Sequence, residues 1–470
     1  IASGPLPGGS TRNLRLPIEG RWMPGGALAL WPDCTEIGFE NLTLANLTLE
    51  RRRLTLCPPP GSAIVRNGPG GLNIAAGAPS LDLAGRLGST PIRLVSGPVG
   101  FAYPGVMTAR ELDVSLGPVG TATRFQINGL DASFGEDIAG TFSDADVTLD
   151  AVPLDIGGAS GSWRYAGGRL ELNDGSFTLT DRADPDRFEP LVARDATLAL
   201  EDNLITAFAD LRNPASDRIV TAADIRHDLS SGRGHADLVI ADLQFDPLLQ
   251  PDDLSRLALG VVANVSGIVS GTGRLDWGAN GVTSSGQLTT DDLDLAAAFG
   301  PVRGASGTIR FTDLLNLTTA PGQTLRVASI NPGIEVLDGE VEFALRDWQF
   351  LSVQGGRWPF MGGELILREV DLNFGVEEER RYVFEIVGLD AGAFVEQMDI
   401  GNLSATGTFD GTVPIVFDAA GNGRIEGGLL LSRAPGGNIS YVGELTYKDL
   451  SPIANFAFDA LRSLDYRQMR

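Results

Sequence analysis

The sequence predicts an all-β chain: one mostly antiparallel sheet carried forward through many short strands, with a few short helices beside it. Three observations predict this. A glycine-marked turn followed by a short strand of alternating apolar and polar residues recurs, as in Ala159-Ser-Gly-Ser-Trp-Arg-Tyr, Gly271-Thr-Gly-Arg-Leu-Asp-Trp, Ala305-Ser-Gly-Thr-Ile-Arg-Phe and Ala405-Thr-Gly-Thr-Phe-Asp. The alternation has the period of two that puts apolar side chains on one face of a strand. Gly 60 and Pro 27 in 470 residues make about 19% of the chain, against roughly 12% in average proteins and without a collagen period. The hydrophobic share is 43% but the aromatic share only 7%, which suits a thin repetitive sheet better than a thick core.

Taken in order, the first strand pair is Phe39 to Leu56, bracketed by Cys34 and Cys57. Two readings of these cysteines stand: a disulfide, closing a loop worth roughly 3 kcal/mol and indicating an oxidising compartment, or two unpaired thiols. In Arg169-Leu-Glu-Leu-Asn-Asp-Gly-Ser-Phe-Thr-Leu-Thr the spacing predicts a hairpin. Leu170 and Leu172 share a face, Asp174-Gly175 turns the chain, and Phe177 and Leu179 resume the apolar side. Further strands are read at Asp146-Val-Thr-Leu, Arg194-Asp-Ala-Thr-Leu-Ala-Leu, Gly362-Gly-Glu-Leu-Ile-Leu-Arg-Glu-Val-Asp-Leu-Asn-Phe and Arg380-Arg-Tyr-Val-Phe-Glu-Ile-Val. Helical patterns are three: a short one from Pro251, at most two turns from Gly392, and one over Pro452 to Leu464 capped by Ser451. No composition break divides the chain, so residues 1–470 read as a single elongated fragment of sheet whose two ends look like cuts through a larger protein.

Sixty acidic against 36 basic residues give a net charge of −24, which repels a polyanion and argues against nucleic-acid binding. No run of 18 apolar residues offers a membrane span. The only histidines, His227 and His235, lie far from the cysteines, so no metal site is expected. Both histidines are read as solvated strand or turn residues. Asp181-Arg-Ala-Asp-Pro-Asp-Arg has acids at alternate places but neither the spacing nor the closing glutamate of an EF-hand, and is read as a solvated turn. Acids at Asp291, Asp292 and Asp294 are scattered strand and turn positions. No phosphate loop or dinucleotide fingerprint occurs, no cofactor is implied, and the chain is not read as an enzyme.

From about residue 296 the wording becomes specific. Gly304-Ala-Ser-Gly-Thr-Ile-Arg-Phe-Thr-Asp-Leu is followed by Thr319-Ala-Pro-Gly-Gln-Thr-Leu-Arg-Val-Ala-Ser-Ile-Asn-Pro-Gly, then Gly355-Gly-Arg-Trp-Pro-Phe-Met-Gly-Gly-Glu-Leu, Leu403-Ser-Ala-Thr-Gly-Thr-Phe-Asp-Gly-Thr-Val-Pro-Ile and Gly436-Gly-Asn-Ile-Ser-Tyr. This ordered set resembles the C-terminal part of the YdbH-like family, within the AsmA-like group of bacterial envelope proteins. The match is tight over 296–470 and loose over 1–295. The resemblance implies a long, twisted, taco-like sheet curled into a U-shaped apolar groove. It implies a periplasmic protein tethered to the inner membrane by an N-terminal anchor. It also implies phospholipid carriage between inner and outer membranes, with an outer-membrane or periplasmic partner at the C-terminal end. It carries no catalytic residues.

On that reading, phospholipid acyl chains complete the core that a second protein layer would supply, at roughly 0.8 kcal/mol per methylene. Strand alternation places Leu170, Leu172, Phe177, Leu179, Leu365, Leu367, Phe384 and Ile386 on the groove lining. Strands of about ten residues make roughly 30 strands and a sheet on the order of 150 Å long. The alternatives are a dry structural β-solenoid of the envelope and a carbohydrate-active β-helix enzyme.

Overall fold

The computed structural model describes residues 1–6, 9–22, 28–44, 46–68, 71–118, 122–134, 137–149, 152–258, 262–297, 300–331, 335–373, 379–418, 423–442 and 462–470. Strand makes up 73% and helix 3%, so the chain is all-β. Among the described residues, 33 strands belong to one antiparallel sheet that does not close. A second small sheet joins Leu403–Ala405, Gly437–Tyr441 and Ser463–Tyr466. The chain divides into two compact units, Ile1–Ile240 with Gly273–Ser284, and Ala241–Thr272 with Ser285–Arg470.

The first unit is an antiparallel meander. Val106–Leu116, Thr123–Phe134, Ile138–Leu149, Leu154–Ala166, Arg169–Asp181, Leu191–Glu201, Leu204–Arg212 and Ile219–Asp228 pair each with the next. These strands are longer than the phrase length suggests, and that changes the role of glycine. Gly161 lies inside Leu154–Ala166, where a Cβ would meet the carbonyl of Asn173 and the ring of Phe142. In the second unit Gly271 and Gly307 likewise lie inside strands, each with a neighbouring carbonyl where its Cβ would stand. In three of the four phrases the glycines therefore mark mid-strand close approaches and not turns, while in the fourth Gly407 lies between Leu403–Ala405 and Thr408–Phe417.

Asp174-Gly175 is corrected in the same way. Arg169–Asp181 is one unbroken strand, and Asp174 sits within it at φ 53° while the register slips on either side of Gly175. This is a β-bulge, which bends a strand without ending it. The device recurs at Asp144, Gly158 and Asp195, all in the left-handed region, all mid-strand and all beside a register shift. Acidic side chains suit it because Asp tolerates that conformation and can bond locally. Gly158 donates its N–H to Asp146 Oδ1 on the next strand at 3.0 Å. The second unit repeats the arrangement, Gly304 donating to Asp294 at 2.9 Å and Gly388 to Asp410 at 2.8 Å. Around these bulges the buried residues are small: Ala145 faces Ala159, Gly175 faces Ala196, and Ala209 faces Ala223.

The second unit buries larger groups. Val302, Val336, Trp358, Phe360, Tyr382, Phe384, Phe409 and Phe417 belong to one core cluster. The predicted strand from Gly362 is two strands, Gly363–Leu367 and Val370–Asn373, which pair with different stretches of Phe350–Phe360. The break falls at Arg368, whose N–H bonds the carbonyl of Val383. The short helix expected after Gly392 is Ala391–Gln397, capped by the Asp390 side chain on Ala393 N–H. From Pro251 the chain makes two 3₁₀ turns, Pro251–Asp253 and Arg256–Ala258. The helix read over Pro452 to Leu464 lies outside the described residues as far as 461, and its end is corrected: Ser463–Tyr466 is a strand paired with Gly437–Tyr441.

Many apolar side chains of the first unit, Val114, Phe125, Val147 and Ile156 among them, are only half-buried. The bulge line gives a direct test of its own energetics. Asp144→Asn keeps a residue that accepts the left-handed conformation and should leave the urea midpoint nearly unchanged, whereas Asp144→Val should cost about 1–2 kcal/mol. Equal midpoints for the two variants would mean that the bulge imposes no backbone requirement.

Candidate functional site

Because side chains alternate, each register fixes which residues share a face. In the first unit one file of apolar side chains runs Leu83, Leu94, Val114, Phe125, Val147, Ile156, Leu179, Leu191, each directly opposite the next. It crosses eight strands, about 34 Å at the usual strand spacing. All of its members but Leu191 are only half-buried. A second file runs Trp163, Leu172, Leu198, Ala207, Ile225, Ala236, and a third runs Phe134, Ile138, Tyr165, Leu170, Leu200, Ile205, His227. No charged residue interrupts the first two.

The opposite face carries the charge. Arg93 pairs with Asp82 at 3.3 Å, Arg164 with Asp137 at 2.6 Å and Arg169 with Glu201 at 3.3 Å, while Arg124 chelates Asp113. Exposed pairs of this kind contribute less than about 1 kcal/mol each, but they favour one register over its slipped alternatives.

The sequence-derived lining residues fall into two environments. Leu179, Leu172 and Leu170 are half-buried members of the three files, and Phe177 faces Ala193 beside the small cluster of Leu191, Ala193, Ala196, Ala209 and Leu211. Leu365, Leu367, Phe384 and Ile386 also come together, Leu365 opposite Ile386 and Leu367 opposite Phe384. They lie at 7%, 7%, 5% and 6% exposure inside the second unit's core, covered by protein. Sequence reasoning missed Val114, Phe125, Val147 and Ile156, although Thr123-Arg-Phe-Gln-Ile alternates cleanly and carried the signal.

His227 is not a solvated residue. It follows Ile205 in the third file, and its Nδ1 accepts from Trp277 Nε1 at 3.0 Å, the two rings stacked with centroids 6.0 Å apart. Accepting at Nδ1 fixes the neutral tautomer with its proton on Nε2. Burial holds the imidazole below the ordinary histidine range, opposed by the Asp228 charge. His235 lies on the charged face, 3.7 Å from Asp237. Asp181 likewise departs from the solvated-turn reading. Its side chain is wholly buried, accepts from Arg187 through both oxygens at 2.6 and 2.8 Å, and takes the N–H groups of Ala183 and Arg187. Burial pushes this carboxyl up, but the bonds from Arg187 and the two backbone groups outweigh it, and the net shift is downward. Cys34 and Cys57 are joined as a disulfide, with Cα atoms 4.0 Å apart.

Among the described residues no group of three or more His, Cys, Asp or Glu is placed to hold a metal ion, and no helix is long and apolar enough to cross a membrane. What the first unit offers is a broad apolar surface with amphipathic rings, Tyr165, His227 and Trp277, along one side.

Two predictions come from the polar groups. Asp181→Ala removes the buried acceptor of four N–H bonds, two from the Arg187 side chain and two from the backbone of Ala183 and Arg187, and should cost about 3–5 kcal/mol by thermal or urea unfolding. Because its folded pKa is lowered, the aspartate's contribution is present above the ordinary carboxylate range and is lost as pH falls through the folded value. For His227 the folded pKa also lies below the unfolded one, so the neutral ring stabilises the fold above about pH 6.5 and that contribution fades on acidification. Between pH 7.5 and 5.0 the melting temperature should fall more steeply in the natural protein than in His227→Leu; parallel slopes would contradict this.

Comparison with known proteins gives one result. A family model described as YdbH-like, intermembrane phospholipid transport protein YdbH, matches residues 2–470. Searches of curated proteins and of solved structures return no match.

Proposed function

Because the chain belongs to the YdbH-like family of intermembrane phospholipid transport proteins, we propose that the first unit's apolar face holds phospholipid by its acyl chains and lets it slide from strand to strand. The observation that carries this reading is the file from Leu83 to Leu191, half-exposed and uninterrupted by charge across eight strands. Each methylene moved onto such a face from water gains roughly 0.8 kcal/mol, so escape into solvent is costly. Movement along the file exchanges one aliphatic contact for another and costs little. The bulges suit the same reading, since they fall on successive strands and a bulge bends the strand that carries it. A headgroup can remain hydrated at the open side, which avoids the cost of burying phosphate.

The same reading takes the parent protein as a resident of the periplasm, tethered to the inner membrane by an N-terminal helix. It meets an outer-membrane or periplasmic partner at its C-terminal end. These features rest on the family. Transport of this kind requires no catalytic group. A dry solenoid would need its interior filled by its own side chains, and the half-exposed file does not favour that. A carbohydrate-active enzyme would need two opposed carboxylates, whereas Asp82, Asp113, Asp137 and Glu201 on the charged face are each paired with an arginine.

The test is a pair of carboxylates placed in the file. Phe125→Asp with Leu179→Asp should leave the sheet formed, as read by circular dichroism. Phospholipid captured by a photo-crosslinking residue at Leu172 should drop by about tenfold or more, since a carboxylate facing hydrocarbon costs well over the 1.4 kcal/mol of one decade. Undiminished capture in the folded double variant would overturn the assignment.

A further inference from the structure

Two opposite rims of the first unit's sheet touch. Successive turns of the meander lie on alternate rims, because each strand crosses the sheet from one rim to the other. The turn at Gly88-Ser89, between Leu81–Leu87 and Thr90–Ser96, is on the rim where Leu116 stands opposite Thr123, since Ile92 pairs with Leu116. The turns at Asp202-Asn203 and at 229–232 are on the other rim. Yet the Thr90 hydroxyl donates to the carbonyl of Leu229 at 3.1 Å, and a Cβ built on Gly88 would come within 3.0 Å of the Asn203 side-chain oxygen. Neighbouring turns are also tied along each rim. Gly88 N–H bonds the carbonyl of Asn46 at 2.8 Å, and Leu229 N–H bonds that of Asn203 at 2.9 Å.

In a flat sheet these turns would stand far apart. Seven strand steps lead from Thr90–Ser96 to Leu204–Arg212, about 34 Å, and the 11 residues of Leu191–Glu201 span about 36 Å across, which puts the tips roughly 50 Å from each other. Their contact means that the sheet between them is rolled through a full turn. Its strands do not pair around that turn, so the sheet stays open while its rims touch. The apolar face is the inner one, since Arg93, Arg124 and Arg164 are exposed on the other face while Val114, Phe125, Val147 and Ile156 are half-buried. A girth of about 50 Å is that of an eight-stranded barrel, whose bore is filled by side chains or one small ligand. Acyl chains suit such a bore, but a phosphate headgroup would have to shed its water to pass through it. We therefore propose that these turns form a clasp across the mouth of the groove, and that phospholipid reaches or leaves the section beneath it only when the clasp opens. The proposal rests on the proposed function and adds a gate to it. The contact is suited to opening: Gly88 and Ser89 are exposed, Thr90, Asn203 and Leu229 are half-buried, and the Thr90 bond joins two uncharged groups, the weaker kind of hydrogen bond.

Locking the clasp in the full chain tests this. Thr90→Cys with Leu229→Cys, or Ser89→Cys with Ser230→Cys should the first pair fail to fold, lets a short bismaleimide join the rims. N-ethylmaleimide modifies the same cysteines without bridging them and is the control; Cys34 and Cys57 are already joined and do not react. After either treatment the chain meets vesicles of alkyne-labelled phosphatidylethanolamine, and a benzoylphenylalanine at Phe125, inside the rolled section, reports by photo-crosslinking the lipid that arrives there. Most molecules should bridge, and labelled adducts in the bridged chain should fall at least tenfold below the control. Undiminished adducts in the bridged chain would overturn the gate and leave the proposed function intact. Failure of both cysteine pairs to bridge in the folded protein would overturn the clasp itself. A control that captures no labelled lipid, bridged or not, would overturn the proposed function and the gate with it, whatever the yield of bridging.

Discussion

A sheet one layer thick has two faces, and water tolerates only one of them when strands alternate apolar with polar residues. Everything else in this molecule follows from how the other face is covered. Along most of the first unit, side chains such as Val114, Phe125, Val147 and Ile156 are left half in solvent by their own chain. Leaving so many aliphatic groups in that state is costly at about 25 cal/mol per Å², and a monomer with no partner for that face would be poorly soluble. In the proposed function acyl chains take up that face, which they match chemically and along which they can move.

The same constraint explains where glycine, alanine and aspartate fall. Where a bulge interrupts the ladder the facing residues are small, as Ala145 against Ala159 and Gly175 against Ala196 show, and a Cβ on Gly175 would meet the carbonyl of Ala196. The extra residue of each bulge must adopt a left-handed conformation, which Asp144, Asp174 and Asp195 accept at modest cost. On the wet side, arginines laid across from carboxylates hold register and keep the surface charged. The second unit buries larger side chains, Trp358, Phe384, Tyr382 and Phe417 among them, than the alanines and leucines of the first unit's cluster.

Period and composition were enough to read the all-β class and the apolar parity of Leu170, Leu172, Phe177 and Leu179, because alternation is a local property of the chain. Turns were misread for a physical reason. Asp-Gly favours a left-handed residue both in a hairpin and in a bulge, and residue types alone do not separate the two at Asp174-Gly175. Alternation also gives no measure of burial. Leu365 and Leu172 have equal sequence credentials, yet Leu365 is buried in the cluster around Trp358 and Leu172 is half-buried. His227 was misjudged although its parity with Ile225 was visible, since histidine is ordinarily polar and its partner Trp277 lies 50 residues away.

The account turns on whether lipid covers the face that protein leaves bare. Native mass spectrometry of the full chain, isolated from cells without detergent, measures this most directly. Mass increments of intact phospholipid, lost on organic extraction together with a gain in binding of an apolar dye, are the predicted result. A chain that emerges free of lipid, monomeric and unable to bind the dye would contradict it, because its apolar face would then be covered by nothing but itself.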